Sequence, residues 1–149
     1  METGLSIVVP IYNEKDSIKK TVEDLAEVKK DAGFPIEIIL INDASNDGTD
    51  EFLKTIPADI ACVIHHSDNF GYGSAIKSGI KIAKHPYIGI TDADSTYPNK
   101  KFVEFFLKTQ EIDCDMLVGS RVGKSVQIPL IRRPIKWVLN VIANYLAGT

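Results

Sequence analysis

Five short apolar runs constrain this chain more than any other feature: LSIVV at 5–9, EIILI at 37–41, ACVIH at 61–65, YIGIT at 87–91 and DMLVG at 115–119. They are continuous rather than alternating, as expected of strands buried on both faces. Between them lie stretches of helical period. Over 15–30, Ile18, Val22, Leu25 and Val28 recur at three- and four-residue spacing among lysines and acids, which predicts an amphipathic helix. Residues 73–84 and 98–110 read the same way, the second with Pro98 where a first helical turn tolerates it, and a shorter helix is expected near 48–55. Strand and helix alternating through short connections imply an α/β fold, a mostly parallel sheet with helices on both faces. With 149 residues, 44% hydrophobic and 25% charged, there is material for one domain and its core.

In such sheets ligands gather outside the carboxyl ends of the strands. Those ends are chemically rich here: PIYNE after the first run, NDASNDGT after the second, HHSDNFGYGSA after the third, DADSTYP after the fourth and SRVGKS after the fifth. One edge therefore collects Glu14, Asp43, Asp92, Asp94 and Arg121. Asp92 and Asp94 stand two apart at the end of an apolar run, so a strand there would aim both carboxylates at one region. That pairing is favourable with a hard cation such as Mg2+ or Mn2+ between them, and otherwise describes an acidic turn before a helix. Neither a G-x-G-x-x-G nor a P-loop follows the first run, so any bound phosphate needs a carboxylate-held cation rather than a ring of amides. A formal charge of -3 provides no general basic field for nucleic acid. Cys62 and Cys114 sit far apart in apolar stretches, which predicts reduced, buried thiols and a cytoplasmic setting. The start, METGLSIVVPIYNEK, has no signal-peptide pattern.

VVPIYNE (8–14), LINDASNDGT (40–49), NFGYGSAIKSGI (69–80), DADSTYP (92–98) and GSR (119–121), in that order, resemble the GT-A fold glycosyltransferases of family 2. Within that family they are most similar to the polyprenol-phosphate, dolichol-phosphate mannose synthase-like, sugar transferases. The resemblance implies a Rossmann-like three-layer sandwich that binds a nucleotide-sugar, UDP- or GDP-linked. It places Pro10, Tyr12 and Glu14 in the nucleotide pocket, Ile41 and Asp43 against the base, and Asp92, Ala93 and Asp94 in the D-x-D motif. Asp92 and Asp94 would be the metal site, with Asp94 and Arg121 serving catalysis. A carboxylate at position 43 suits the ring N–H of uracil or guanine. Thr96 stands where these transferases often have glutamine, and VGKSVQIPLI replaces the glycine-rich loop after GSR.

RRPIKWVLNVIANYLAG resembles the family stretch that approaches a lipid phosphate, which puts Arg132 beside Arg121 as an acceptor-phosphate residue. Read on its own, 135–147 is a helix with an apolar flank and a basic entrance, suited either to an anionic membrane surface or to a core. It is too short and too interrupted by Asn140 and Asn144 to span a bilayer. The resemblance also implies that residues 1–149 are the N-terminal portion of a single catalytic domain, without the family's C-terminal segment. The activity it implies is inverting, metal-dependent transfer of a sugar to a polyprenyl phosphate at the cytoplasmic face of a membrane. A phosphate acceptor is already anionic and needs no dedicated base, whereas a hydroxyl acceptor does, and no spare base stands out. The alternatives are a transferase acting on a hydroxyl, in polysaccharide or glycan synthesis, and a nucleotide-binding fragment without activity. Nucleotidyl transfer ranks last, because PIYNEKDS is not a glycine- and lysine-rich loop.

Overall fold

The computed structural model describes residues 3–119. The first apolar run forms β1 (Leu5–Ile11), followed by α1 (Ile18–Asp31), β2 (Ile36–Asn42), α2 (Thr49–Leu53), β3 (Cys62–His65), α3 (Tyr72–Ile82), β4 (Tyr87–Ile90) and α4 (Lys101–Ile112). The strands make one sheet in the order β3-β2-β1-β4, with every pairing parallel. Register is fixed by the inner pair, where Leu5 faces Ile36 and Ile11 faces Asn42, and Leu5 meets Tyr87 on the other side. All eight elements fall within one compact unit, Met1–Met116.

The unbroken apolar runs now have a physical reason. Alternate side chains of the two inner strands go to opposite faces, and both faces are covered. Leu5, Ile7, Val9 and Ile11 join Ile36, Ile38 and Leu40 in a core with Ile18, Val22, Leu25 and Val28 of α1 and Phe106 of α4. On the reverse face Val8, Ile39 and Ile41 pack with Ala75 of α3. The helix α3 approaches so closely that a β-carbon at Gly79 would lie 2.3 Å from Val8 Cγ1.

Several expectations are corrected. Residues 115–119 form no strand. Asp113 leaves α4 in the left-handed conformation (φ 46°), and the three apolar residues behind Asp115 are too few to cover two faces. Buried-on-both-faces holds for β1 and β2 only; β3 and β4 flank the described sheet and alternate in exposure or stay partly open. Cys62 is exposed for that reason and Cys114 is half-buried, so neither is the buried thiol that its apolar neighbours suggest; both are free. Pro98 lies ahead of α4, in a turn closed by Lys101 N–H donating to the Pro98 carbonyl at 2.9 Å. No helix among the described residues is long and apolar enough to cross a membrane.

Candidate functional site

The chain steps from β1 outward through β2 to β3, then returns to place β4 on the opposite side of β1. The strand order reverses there, and in sheets of this kind a reversal is where a crevice for ligands lies, outside the carboxyl ends of the strands. A cavity of about 400 Å³ occupies it, lined by Pro10, Ile11, Tyr12 and Glu14 from the end of β1, Asp43 after β2, Asn69, Gly71, Tyr72 and Ala75 around the start of α3, and Asp92, Ala93 and Asp94 after β4. Pro10 is tolerated inside a strand because the β1–β4 ladder has already ended: its last bond is Thr91 N–H to the Val8 carbonyl, 3.2 Å.

At one end of the cavity Asp43 is almost wholly buried, 3% exposed. Its Oδ1 accepts from His66 Nδ1 at 2.7 Å and from the Phe70 amide at 3.0 Å, and its Oδ2 accepts from the Gly71 amide at 2.7 Å. Burial works to raise its pKa, but the hydrogen bonds from His66, Phe70 and Gly71 and the charge of His66 outweigh it and hold the carboxyl below its ordinary range. An ionised Asp43 has no proton to give, so Nδ1 of His66 carries the hydrogen. The other ring nitrogen, Nε2, lies 2.9 Å from Ser78 Oγ. One imidazole thus ties the ends of β2 and β3 to the middle of α3. Gly71, at φ 86°, turns the chain into that helix.

At the other end, the 92–96 turn is pinned to α1. Thr21 Oγ1 donates to the Ala93 carbonyl at 3.0 Å, and Ser95, in the left-handed region at φ 56°, donates to the Ser17 carbonyl at 3.1 Å. Tyr72 donates its hydroxyl to Asp92 Oδ1 at 2.9 Å. Burial first, then the hydrogen bond and charge of Asp92, push the Tyr72 phenol up to about 12. Asp94 Oδ1 accepts from the amide and hydroxyl of Thr96, at 2.9 and 2.7 Å. Thr96 therefore braces the acid. Among the described residues no three or more of His, Cys, Asp and Glu converge as a metal cage. Asp92 and Asp94 would hold a magnesium- or manganese-type ion through hard carboxylate oxygens, the donors such an ion prefers.

The loops after β1 and β2 are stitched together beside the cavity. Asn46 N–H donates to Asn13 Oδ1, Asn13 N–H to Ser45 Oγ, and Glu14 N–H to Thr49 Oγ1, at 2.8 to 3.0 Å. Glu14 also takes Ser17 Oγ at 2.6 Å and starts α1 through its carbonyl. Of the residues expected to share a pocket, Pro10, Tyr12, Glu14, Asp43, Asp92, Ala93 and Asp94 all line this one. Ile41 does not: it is fully buried against α3, because its place in β2 turns it to the reverse-face core. Arg121, Arg132 and the helix expected over 135–147 lie outside the described residues. Sequence reasoning missed His66 and Tyr72. The signal for both was the run HHSDNFGY at the end of the third strand, where a histidine and a tyrosine flank the helix start.

The sequence and the fold are similar to those of known proteins. A dolichyl-phosphate beta-glucosyltransferase from Dictyostelium discoideum is 32% identical over 129 residues, which cover 78% of this chain and 39% of the relative. The chain spans about two fifths of the length of the curated relatives it matches. Among solved structures, S. aureus TarS 1–349 in complex with UDP superposes with a TM-score of 0.66 at 21% identity, over 85% of this chain and 38% of that one. The mannosyltransferase PcManGT from Pyrobaculum calidifontis, in complex with GDP-Man and Mn2+, gives 0.53 at 24% identity, over 65% and 29%. Both share the fold. With residues 6–147 matching the model of that family, the chain belongs to glycosyl transferase family 2.

Proposed function

We propose that this chain carries the donor site of a glycosyltransferase that moves a sugar, with inversion, from a nucleotide-sugar to a polyprenyl phosphate at the cytoplasmic face of a membrane. The observation that carries the reading is a single cavity with a buried hydrogen-bond acceptor, Asp43, at one end and the Asp92–Asp94 pair at the other. That layout suits a base held at the first end and a diphosphate at the second. Pro10 and Tyr12 supply apolar and aromatic surface between them. Tyr72 and Thr96 orient the two acids, and Glu14 fixes the start of α1 along the wall. A Mg2+ or Mn2+ held by Asp92 and Asp94 would supply Lewis-acid stabilisation of the leaving diphosphate. Arg121 and Arg132 are assigned to the acceptor phosphate, which a planar, permanently charged fork can hold through two oxygens.

The lipid acceptor is supported by the dolichyl-phosphate relative and by the chemistry of an acceptor that is already anionic. The test is a donor screen on the full-length protein with short-chain polyprenyl phosphate in Mn2+. Transfer to the lipid is expected, and Arg132→Ala should cut turnover while leaving donor affinity nearly unchanged. Transfer confined to a sugar hydroxyl, or equal loss of donor affinity in Arg132→Ala, would replace the lipid acceptor with a hydroxyl one.

A further inference from the structure

A carboxylate offers about four acceptor positions, two on each oxygen. In Asp43 three are taken by the chain itself: His66 Nδ1–H and the Phe70 amide fill Oδ1, and the Gly71 amide takes one position on Oδ2. The residue lines the cavity with only 3% of its surface exposed, so a ligand meets a narrow acceptor and not an open carboxylate. Nothing among the described residues competes for the last position on Oδ2. Two of the three donors are backbone amides at the start of α3 and belong to the loop. His66 is the one side-chain donor in the set, and it is held in place by Ser78 behind it.

We infer that His66 is a specificity-determining residue, which by filling Oδ1 restricts Asp43 to a nucleobase offering one N–H, as uracil does, and against guanine. The inference rests on the nucleotide-sugar reading. Guanine presents its ring N–H beside an exocyclic amine, and satisfying both takes an acceptor on each oxygen of a carboxylate. With Oδ1 saturated, one of those N–H groups would enter the pocket without a partner, and a buried unpaired donor lowers affinity roughly tenfold or more. Uracil presents one N–H between two carbonyls and asks only for Oδ2. The fold itself does not decide the base, since TarS holds UDP and PcManGT holds GDP-Man on the same frame.

The experiment is calorimetric titration of the whole chain, in Mn2+, with four diphosphates: UDP, its 3-methyl derivative that lacks the ring N–H, GDP, and IDP, which is GDP without the exocyclic amine. UDP is expected to bind roughly tenfold or more tighter than 3-methyl-UDP and than GDP, the scale set by one unpaired donor. GDP should bind no tighter than IDP. In His66→Ala, Oδ1 regains a position, and the preference for UDP over GDP should shrink. GDP binding tighter than both IDP and UDP would overturn the inference, as would equal affinity for UDP and its 3-methyl derivative. A folded His66→Ala with an unchanged UDP to GDP ratio would remove His66 from the account. If His66→Ala fails to fold, His66→Phe, which keeps a ring and removes the donor, takes its place in the same comparison. Should UDP, GDP and IDP all fail to bind, with or without Mn2+, the nucleotide-sugar reading falls; binding with the wrong ranking leaves that reading standing and sinks only this one.

Discussion

Asp94→Asn keeps the side chain's size and removes its charge. Asparagine is a weaker ligand for a hard cation, so Mn2+-dependent diphosphate affinity should fall at least as much as the roughly 10- to 100-fold typical when a metal ligand loses a supporting partner. Titration with and without Mn2+ measures this, and an unchanged metal dependence would exclude Asp94. Tyr72 makes a second, spectroscopic prediction. Its phenol is raised to about 12 in the folded chain, from an ordinary value of 10.0. The stability this contributes is complete below pH 10 and disappears as pH rises through 12. Ultraviolet titration should show a phenolate appearing near pH 12 that is absent from Tyr72→Phe. At this scale the sequence announced the acids but not their partners. Asp43, Asp92 and Asp94 were legible because acids collect after successive apolar runs, at what becomes one edge of the sheet. The donors that occupy them, His66, Phe70, Gly71 and Tyr72, arrive from another loop, and no local pattern records which acid a distant donor will reach. Ile41 was misplaced for a related reason, since its neighbour Asp43 suggests a pocket while the alternation of β2 sends it to the core.

Among the elements, α3 is the one whose position most directly shapes the cavity, because Gly71, Tyr72 and Ala75 of its first turn line the wall and Ser78 braces His66. Its closeness to β1 depends on Gly79. Gly79→Ala would put a methyl group 2.3 Å from Val8 Cγ1, and overpacking of this kind costs about 1–3 kcal/mol. Urea denaturation should show that loss, with diphosphate affinity falling alongside as the helix shifts outward. Helix and strand identities were legible from period alone, within a few residues at each end. The exception at 115–119 failed because a short apolar run signals burial without supplying a neighbour to pair with. Similarly, β4 reads as fully buried in sequence, yet Ile88 and Ile90 are exposed at the flank of the described sheet.

For the molecule as a whole, the cavity draws on the ends of β1, β2 and β4 and the start of α3, so a ligand that bridges it should oppose unfolding of the entire unit. With free diphosphate and Mn2+ at about 100 times the dissociation constant, linkage gives a stabilisation of about 2.7 kcal/mol. Thermal unfolding should move upward accordingly, and Asp94→Asn should lose most of the Mn2+-dependent part. Parallel pairing also sets an order in time. Leu5 is made well ahead of Tyr87, its partner on the β4 side, with β2 and β3 synthesised in between. At about 5–20 residues per second, a ribosome leaves that edge of β1 bare for on the order of ten seconds. During that interval Leu5–Val8 present an open, apolar strand edge to any other nascent chain. Slower synthesis anywhere between β1 and β4 would lengthen that interval, and with it the exposure to mispairing.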